Sequence, residues 1–278
     1  KCENPTAGNF TYTAPQNLVY NNEIKAATVV WNETQGGNIT VKYSSTSNKY
    51  TAATPKDAGT YYVFVSTVEN DNYCAVTDLY INTFTIKQAD QTALSISTAA
   101  DVCGKSVTLA TSGGTGTGSV TYSISGTNNI GASINGTTLS ATSTGSVNVK
   151  ATKSGGTNYK DAIVEKTFNF TMPIENVKLA VKNTSVKASY CKDENITLVL
   201  TYDGPTLDFN NNEFEWVLSG IQTGTQFIGD GTNGINSGSE FTLQLGGVGV
   251  NKVGVKLKGC NGWVTSTDEN SVNVTVNA

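Results

Sequence analysis

Apolar and polar residues alternate along this chain in short runs, and one such run comes back. Gly59-Thr60-Tyr61-Tyr62-Val63-Phe64-Val65 is followed by Asn72-Tyr73 and by Thr83-Phe84-Thr85-Ile86. Further on, Gly145-Ser146-Val147-Asn148-Val149-Lys150-Ala151 is followed by Asn158-Tyr159 and by Thr167-Phe168-Asn169-Phe170. Glycine and tyrosine stand 14 residues apart both times (59 to 73, 145 to 159). Each copy reads as two antiparallel strands joined by a polar loop, the closing hairpin of a β-sandwich. A third, more divergent copy has Val253, Val255 and Leu257 alternating with polar or small residues, Asn261-Gly262 as a two-residue turn, and Val272, Val274 and Val276 alternating again.

Three such units in 278 residues leave about 90 each, the size at which a two-sheet sandwich buries its own core. The expected division is 1–89, 90–172 and 173–278, the last opened by Pro173. Nowhere do apolar residues recur at helical spacing for three turns, so almost no helix is expected. The fold class is all-β: three tandem immunoglobulin-like β-sandwich domains.

In the first unit, Ile24 to Trp31 and Ile39 to Tyr43 are β-rich, with Gln35-Gly36-Gly37-Asn38 the turn between them. Asp57-Ala58-Gly59-Thr60-Tyr61 resembles the Asp-x-Gly-x-Tyr of a tyrosine corner, in which the ring is buried and its hydroxyl returns to upstream backbone. With Tyr61 inward, a period of two sends Val63 and Val65 inward and leaves Tyr62 and Phe64 on the outer face as candidate ligand-facing aromatics.

Val19-Tyr20-Asn21-Asn22, Val41-Lys42-Tyr43, Pro55 to Tyr61, Asn72-Tyr73 and Thr83 to Ala89 together make the first unit similar to an MBG ("mostly beta, gliding") domain of bacterial surface proteins. Cys74 departs from that pattern. The second unit resembles bacterial immunoglobulin-like repeats through Ser106-Val107-Thr108-Leu109, the glycine run from Gly113 to Gly118, Val120-Thr121-Tyr122-Ser123 and Asn158-Tyr159. The third looks like a PKD-like (polycystic-kidney-disease-type) domain. Glu213 to Leu218 fits the strand bearing that family's buried tryptophan, here Trp216; Gly229-Asp230-Gly231-Thr232 fits its central turn, and Cys260-Asn261-Gly262 the turn before its last strand. Phe214 shares the inner face with Trp216.

These resemblances imply a non-catalytic adhesion or stalk segment of a bacterial surface protein, at the outer cell surface or secreted, monomeric and without cofactor. The partner is an unidentified surface protein or glycan. The alternative is a carbohydrate-binding accessory module of a polysaccharide-processing system, with Tyr62 and Phe64, or Trp31 and Trp263, stacked on sugar rings.

Composition narrows the chemistry. The chain has no His, and all 18 basic residues are Lys, which removes the commonest general base, the commonest zinc ligand and the guanidinium fork that grips phosphate and guanine. A net charge of −4 with no basic stripe excludes nucleic acid as a partner. The chain starts Lys1-Cys2 and holds no apolar stretch of signal or membrane length, so it reads as a mature or excised segment whose anchor lies outside it. Eight Asn-x-Ser/Thr sequons, at Asn9, Asn32, Asn38, Asn135, Asn169, Asn183, Asn195 and Asn273, follow from abundant Asn and Thr, and mean glycans only in a host that attaches them.

Three further patterns invite chemistry. Gly104-Lys105-Ser106 fails as a phosphate loop because Ala99 stands where glycine is needed and Val107-Thr108-Leu109 reads as strand, so the nearby glycine run serves tight loops at positive φ. Glu213 and Glu215 lie about 7 Å apart on one strand face, a glycosidase separation, but with Phe214 and Trp216 inward both face water, where nothing raises a carboxyl pKa. No catalytic residue is expected. Glu69 to Asn72, Asp193-Glu194-Asn195 and Asp208 to Glu213 offer oxygen ligands for calcium, but polar turns are the default reading of such clusters; no metal ligand is assigned.

Five cysteines without redox or metal spacing favour an oxidising compartment. In a sandwich of this topology Cys103 and Cys191 fall in the turn before the second strand, whereas Cys74 and Cys260 fall in the turn after the sixth, at the opposite end. The expected pairs are Cys103–Cys260 across a domain joint and Cys2–Cys74, with Cys191 left over. The rival is Cys191–Cys260 inside the third unit.

Overall fold

The computed structural model describes the chain apart from residues 35, 48–49, 183–185, 208–212, 221–225, 229–236, 245, 247 and 278. Among the described residues there is no α-helix; Ala7–Asn9 and Asp268–Asn270 are single 3-10 turns. The first strands are β1 (Phe10–Thr13), β2 (Thr28–Trp31), β3 (Ile39–Ser44), β4 (Gly59–Thr67) and β5 (Val76–Ile86). Then come β6 (Leu94–Ile96), β7 (Asp101–Cys103), β8 (Ser106–Thr108), β9 (Thr111–Gly113), β10 (Val120–Ser125), β11 (Ser133–Asn135), β12 (Thr138–Ser140), β13 (Gly145–Lys153) and β14 (Ala162–Thr171). The last are β15 (Glu175–Val181), β16 (Tyr190–Cys191), β17 (Asn195–Asp203), β18 (Phe214–Gly220), β19 (Gln226–Ile228), β20 (Glu240–Gln244), β21 (Gly249–Gly259), β22 (Gly262–Thr265) and β23 (Val272–Asn277).

The chain falls into two compact units. One holds Lys1–Ser97, Thr111–Tyr122 and Lys150–Val164, the other Thr98–Ala110, Ser123–Val149 and Glu165–Ala278. Residues 89 and 90 lie inside the first, 172 and 173 inside the second.

In the first unit β1 pairs with β2, and β3-β4-β5 form an antiparallel sheet. Phe10, Val29, Tyr61, Val63, Val65, Phe84 and Ile86 bury together, because alternate residues of each strand point to one face. Tyr61 donates its hydroxyl to the Asp57 carbonyl at 3.0 Å, a tyrosine corner. Residues 36–38 connect β2 to β3, which belong to different sheets.

The second unit shows the sandwich most completely. One sheet runs β15-β17-β20-β19 and the other β16-β23-β21-β18, with β22 added beside β21. This is the two-sheet order of an immunoglobulin domain. Ile196, Leu198, Leu200 and Tyr202 alternate along β17 into a core closed by Leu243, Val253, Val255 and Leu257. Phe214 is buried there, and Trp216, partly buried, meets Phe241 edge-on at 5.2 Å.

Two sequence expectations need correction here. The β21–β22 hairpin pairs Gly259 with Gly262, so its two-residue loop is Cys260-Asn261, and Gly262, at φ +90°, opens the next strand. Cys103 and Cys191 end short edge strands rather than sitting in turns: β7 runs parallel to β14, with Cys103 opposite Thr171, and β16 runs parallel to β23, with Cys191 opposite Asn277. Val19 and Lys87 make the same parallel contact in the first unit. The period-two pattern cannot show it, because two or three residues of edge strand carry too little alternation.

Candidate functional site

Two features stand out: the loops that grip the chain where each sandwich begins, and an aromatic face on β3-β4-β5. After β4, Glu3 donates its N–H to the Asn72 carbonyl at 2.8 Å and Cys74 donates to the Glu3 carbonyl at 2.9 Å. After β13 the pattern repeats, Ala89 to the Asn158 carbonyl at 3.0 Å and Lys160 to the Ala89 carbonyl at 2.9 Å. Each is a single parallel bridge, Glu3 with Tyr73 and Ala89 with Tyr159, so the recurrent Asn-Tyr pair is a docking ledge for incoming backbone. After β21 the side chain of Asn261 does this work: Ile174 N–H donates to Oδ1 at 3.1 Å and Nδ2 donates to the Ile174 carbonyl at 3.0 Å.

Further side chains reinforce the grips. Asn158 Oδ1 accepts the Ala58 N–H and its Nδ2 reaches Asp57, each at 2.8 Å, so the loop also holds the tyrosine corner. Gln91 donates to the Lys153 and Lys160 carbonyls and accepts from Gly116. Gly113, at φ +82°, lets the glycine run approach: a Cβ there would lie 2.0 Å from the Ala93 carbonyl oxygen. Cys2–Cys74 and Cys103–Cys260 are disulfides, with Cα atoms 4.9 and 5.6 Å apart, and Cys191 is a free, exposed thiol. With Cys260 joined to Cys103, the alternative Cys191–Cys260 bond is not formed.

The aromatic face differs from the expected pair. Phe64 is only 4% exposed, so it is not a surface platform. Tyr50 and Tyr80 cover it edge-on at 6.1 and 5.8 Å, and Tyr62, half-buried, tilts against Tyr80 at 6.4 Å. Cross-strand register explains this. Lys42, Phe64 and Tyr80 are direct partners across the three strands, and irregularities between Val63 and Phe64 and between Val65 and Thr67 reset which side chains share the face. Lys42 sits 5.1 Å from the Tyr50 ring centre and 3.0 Å from Asp78, itself at φ +54°. The sequence reading missed Lys42, Tyr50, Asp78 and Tyr80, since a bulge leaves no mark in a hydrophobicity pattern.

Trp31 is also not ligand-facing. Its ring stacks on Tyr73 at 4.6 Å and packs tilted against Phe10 at 4.3 Å, and its indole N–H donates to the Gly37 carbonyl at 2.7 Å. Gly36 has no side chain because one would enter that ring, 2.1 Å from Cγ. Trp263 is 42% exposed, with Lys258 Nζ 5.9 Å from the ring. Glu215 is exposed and lies 3.6 Å from Lys256. Asn70 Oδ1 accepts the N–H groups of Asn72 and Tyr73, so that loop is a hydrogen-bonded turn. Glu194 is occupied too: Lys187 and the Cys191 N–H hold its carboxyl below the usual range. Asp208 to Asn212 and the 229–232 turn lie outside the described residues. Among the described residues no three His, Cys, Asp or Glu side chains gather as metal ligands. In the second unit a cleft of about 500 Å³ is lined by Lys105, Thr144, Met172, Glu175, Asp203 and Pro205 among others; Lys105 pairs with Glu175, and Asp203 accepts from the Asn176 amide.

Burial pushes the Tyr43, Tyr61 and Tyr202 phenols above their ordinary pKa. A raised folded-state pKa gives stability that is present below the unfolded value near 10 and lost as pH rises through the folded value. No histidine titrates in between. Denaturation midpoints are therefore expected to stay level from about pH 6 to 9 and to fall above about pH 10; a step near neutrality would contradict this. Tyr12 Oη is buried without a hydrogen-bond partner among the described residues. Tyr12→Phe is expected to leave the midpoint unchanged or to add up to about 1 kcal/mol, since only an unsatisfied hydroxyl is removed.

No family model matches the chain. No curated protein matches it. It is similar to solved structures of Drosophila N-cadherin EC1-4 (TM-score 0.34, 10% identity, 96% of this chain and 74% of that one) and of titin I67-I69 (0.36, 11%, 94% and 94%). It is also similar to surface layer protein SbsC domains 1-6 (0.26, 15%, 96% of this chain, 40% of that one). At these scores the likeness carries no function across, and the fold rests on the chain's own ladders.

Proposed function

We propose that this chain is a non-catalytic adhesion or stalk segment of a bacterial surface protein, outside the cell, built from immunoglobulin-like repeats at 1–89, 90–172 and 173–278. The MBG-like, immunoglobulin-like and PKD-like resemblances of the three repeats belong to this reading. The observation that carries it is the recurrent grip: each repeat's late loop holds the segment leading into it, through Glu3, Ala89 and Ile174, and the last joint is also covalently closed. Gripped joints suit a part that must keep its length. Two disulfides fit an oxidising compartment.

Backbone ¹⁵N relaxation tests the proposal. Amides on the two sides of residue 89 are expected to share one tumbling time, as are those flanking 172. Independent tumbling across either joint would sink the stalk reading. The alternative, a carbohydrate-binding module, turns on the tyrosine face.

A further inference from the structure

The tyrosine hydroxyls of this chain differ in what they meet. Those of Tyr43, Tyr61, Tyr73, Tyr190 and Tyr202 bond to the protein: to Ala27 backbone, the Asp57 carbonyl, Glu33, the Lys187 N–H and the Pro205 carbonyl. Such hydroxyls serve the fold. Tyr80 makes ring contacts with Tyr62 and Phe64, and Tyr50 with Phe64, and the hydroxyls of the three tyrosines have no protein partner among the described residues. All three belong to the outward face of β3-β4-β5, and Tyr80 is 44% exposed.

Beside these rings the polar groups are arranged rather than scattered. Asp78 takes a left-handed backbone conformation, φ +54°, costly for a non-glycine residue, and so aims its carboxylate at Lys42 and Ser66 while its own N–H is held by Ser66 Oγ. It lies in one of the two ladder irregularities, opposite Ser66, and the other falls at Ile81. Strain and bulges gathered at one spot of an otherwise regular sheet are common at binding sites.

We propose that this face binds a neutral pyranose unit of a polysaccharide. Tyr80 and Tyr62 give the apolar ring faces on which the C–H side of a sugar rests, and buried Phe64 packs against Tyr80. The free tyrosine hydroxyls and the outer lone pairs and N–H groups of the Lys42–Asp78 pair take the sugar hydroxyls. Because Lys42 and Asp78 neutralise each other, the site has no net charge to attract an anionic sugar, and the chain's net charge of −4 disfavours one. The proposal goes beyond the stalk reading and does not depend on it, since a rigid segment can carry a ligand on one face.

The test is native gel electrophoresis of the whole chain through laminarin, xylan, galactomannan or amylopectin as neutral polymers, and alginate as an anionic one. At least one neutral polymer is expected to retard the chain. Tyr80→Ala and Tyr62→Ala should each weaken that retardation about tenfold or more, as loss of an aromatic anchor does, and Tyr80→Phe, which keeps the ring, should weaken it less. Near-ultraviolet circular dichroism checks that each variant is folded. Retardation by alginate alone, by no polymer, or unchanged in the folded Tyr62→Ala/Tyr80→Ala double variant overturns the proposal, as does loss with Trp263→Ala in place of the tyrosine variants.

Discussion

Replacing Cys103 and Cys260 together by serine is expected to lower the unfolding free energy of the unit that contains them by about 2–5 kcal/mol. The bond joins residues 157 apart in sequence, so the open chain gains a large loop-closure entropy that the native state does not share. The native contacts of the joint remain: Asn261 still clasps Ile174, and Lys105 still meets Glu175 at 3.1 Å. Folding should survive, with a lower guanidinium midpoint read from Trp216 fluorescence. Cys191→Ser is the control. That thiol is exposed and unbonded, so its loss should move the midpoint little. An unchanged midpoint in the double variant would mean that the bond constrains nothing the other contacts do not.

Leu198→Ala is expected to cost about 2–5 kcal/mol, through lost transfer energy and the cavity left behind. Leu198 is fully buried on β17, paired with Val181 on one side and Phe241 on the other, inside the core that includes Leu200, Leu243 and Val255. Two sheets packed face to face cannot close over a missing isobutyl group without shifting both ladders. Ile163→Ala, at a position 59% exposed, should change stability by less than about 0.5 kcal/mol. Equal effects at the two positions would show that residues 195–203 are not the inner strand the structure makes them.

The strands themselves were legible because burial repeats every second residue, and Tyr61, Val63 and Val65 are buried as their alternation requires. Tyr61 could be placed because a tyrosine corner needs a short local motif, and Asp57, which takes its hydroxyl, is four residues away. The candidate site was legible only in part. Tyr62 was visible as an outer residue, whereas Phe64 disappears under Tyr50 and Tyr80, which come from other strands or loops. Trp31 failed for the same reason: Phe10 and Tyr73, distant in sequence, pack against its ring.

By itself the sequence determined the all-β class, the recurring hairpins, the tyrosine corner and the absence of histidine and arginine chemistry, because each depends on composition or on neighbours a few residues apart. Only the tertiary structure decided that Asn72, Asn158 and Asn261 grip incoming chain, that Cys260 bonds the expected Cys103 and not its rival Cys191, and that Lys42, Asp78 and three tyrosines share one face. These rest on loop closures and on the register of bulged strands, and a one-residue shift in a ladder sends a side chain to the opposite side of its sheet without altering the pattern that encodes the strand.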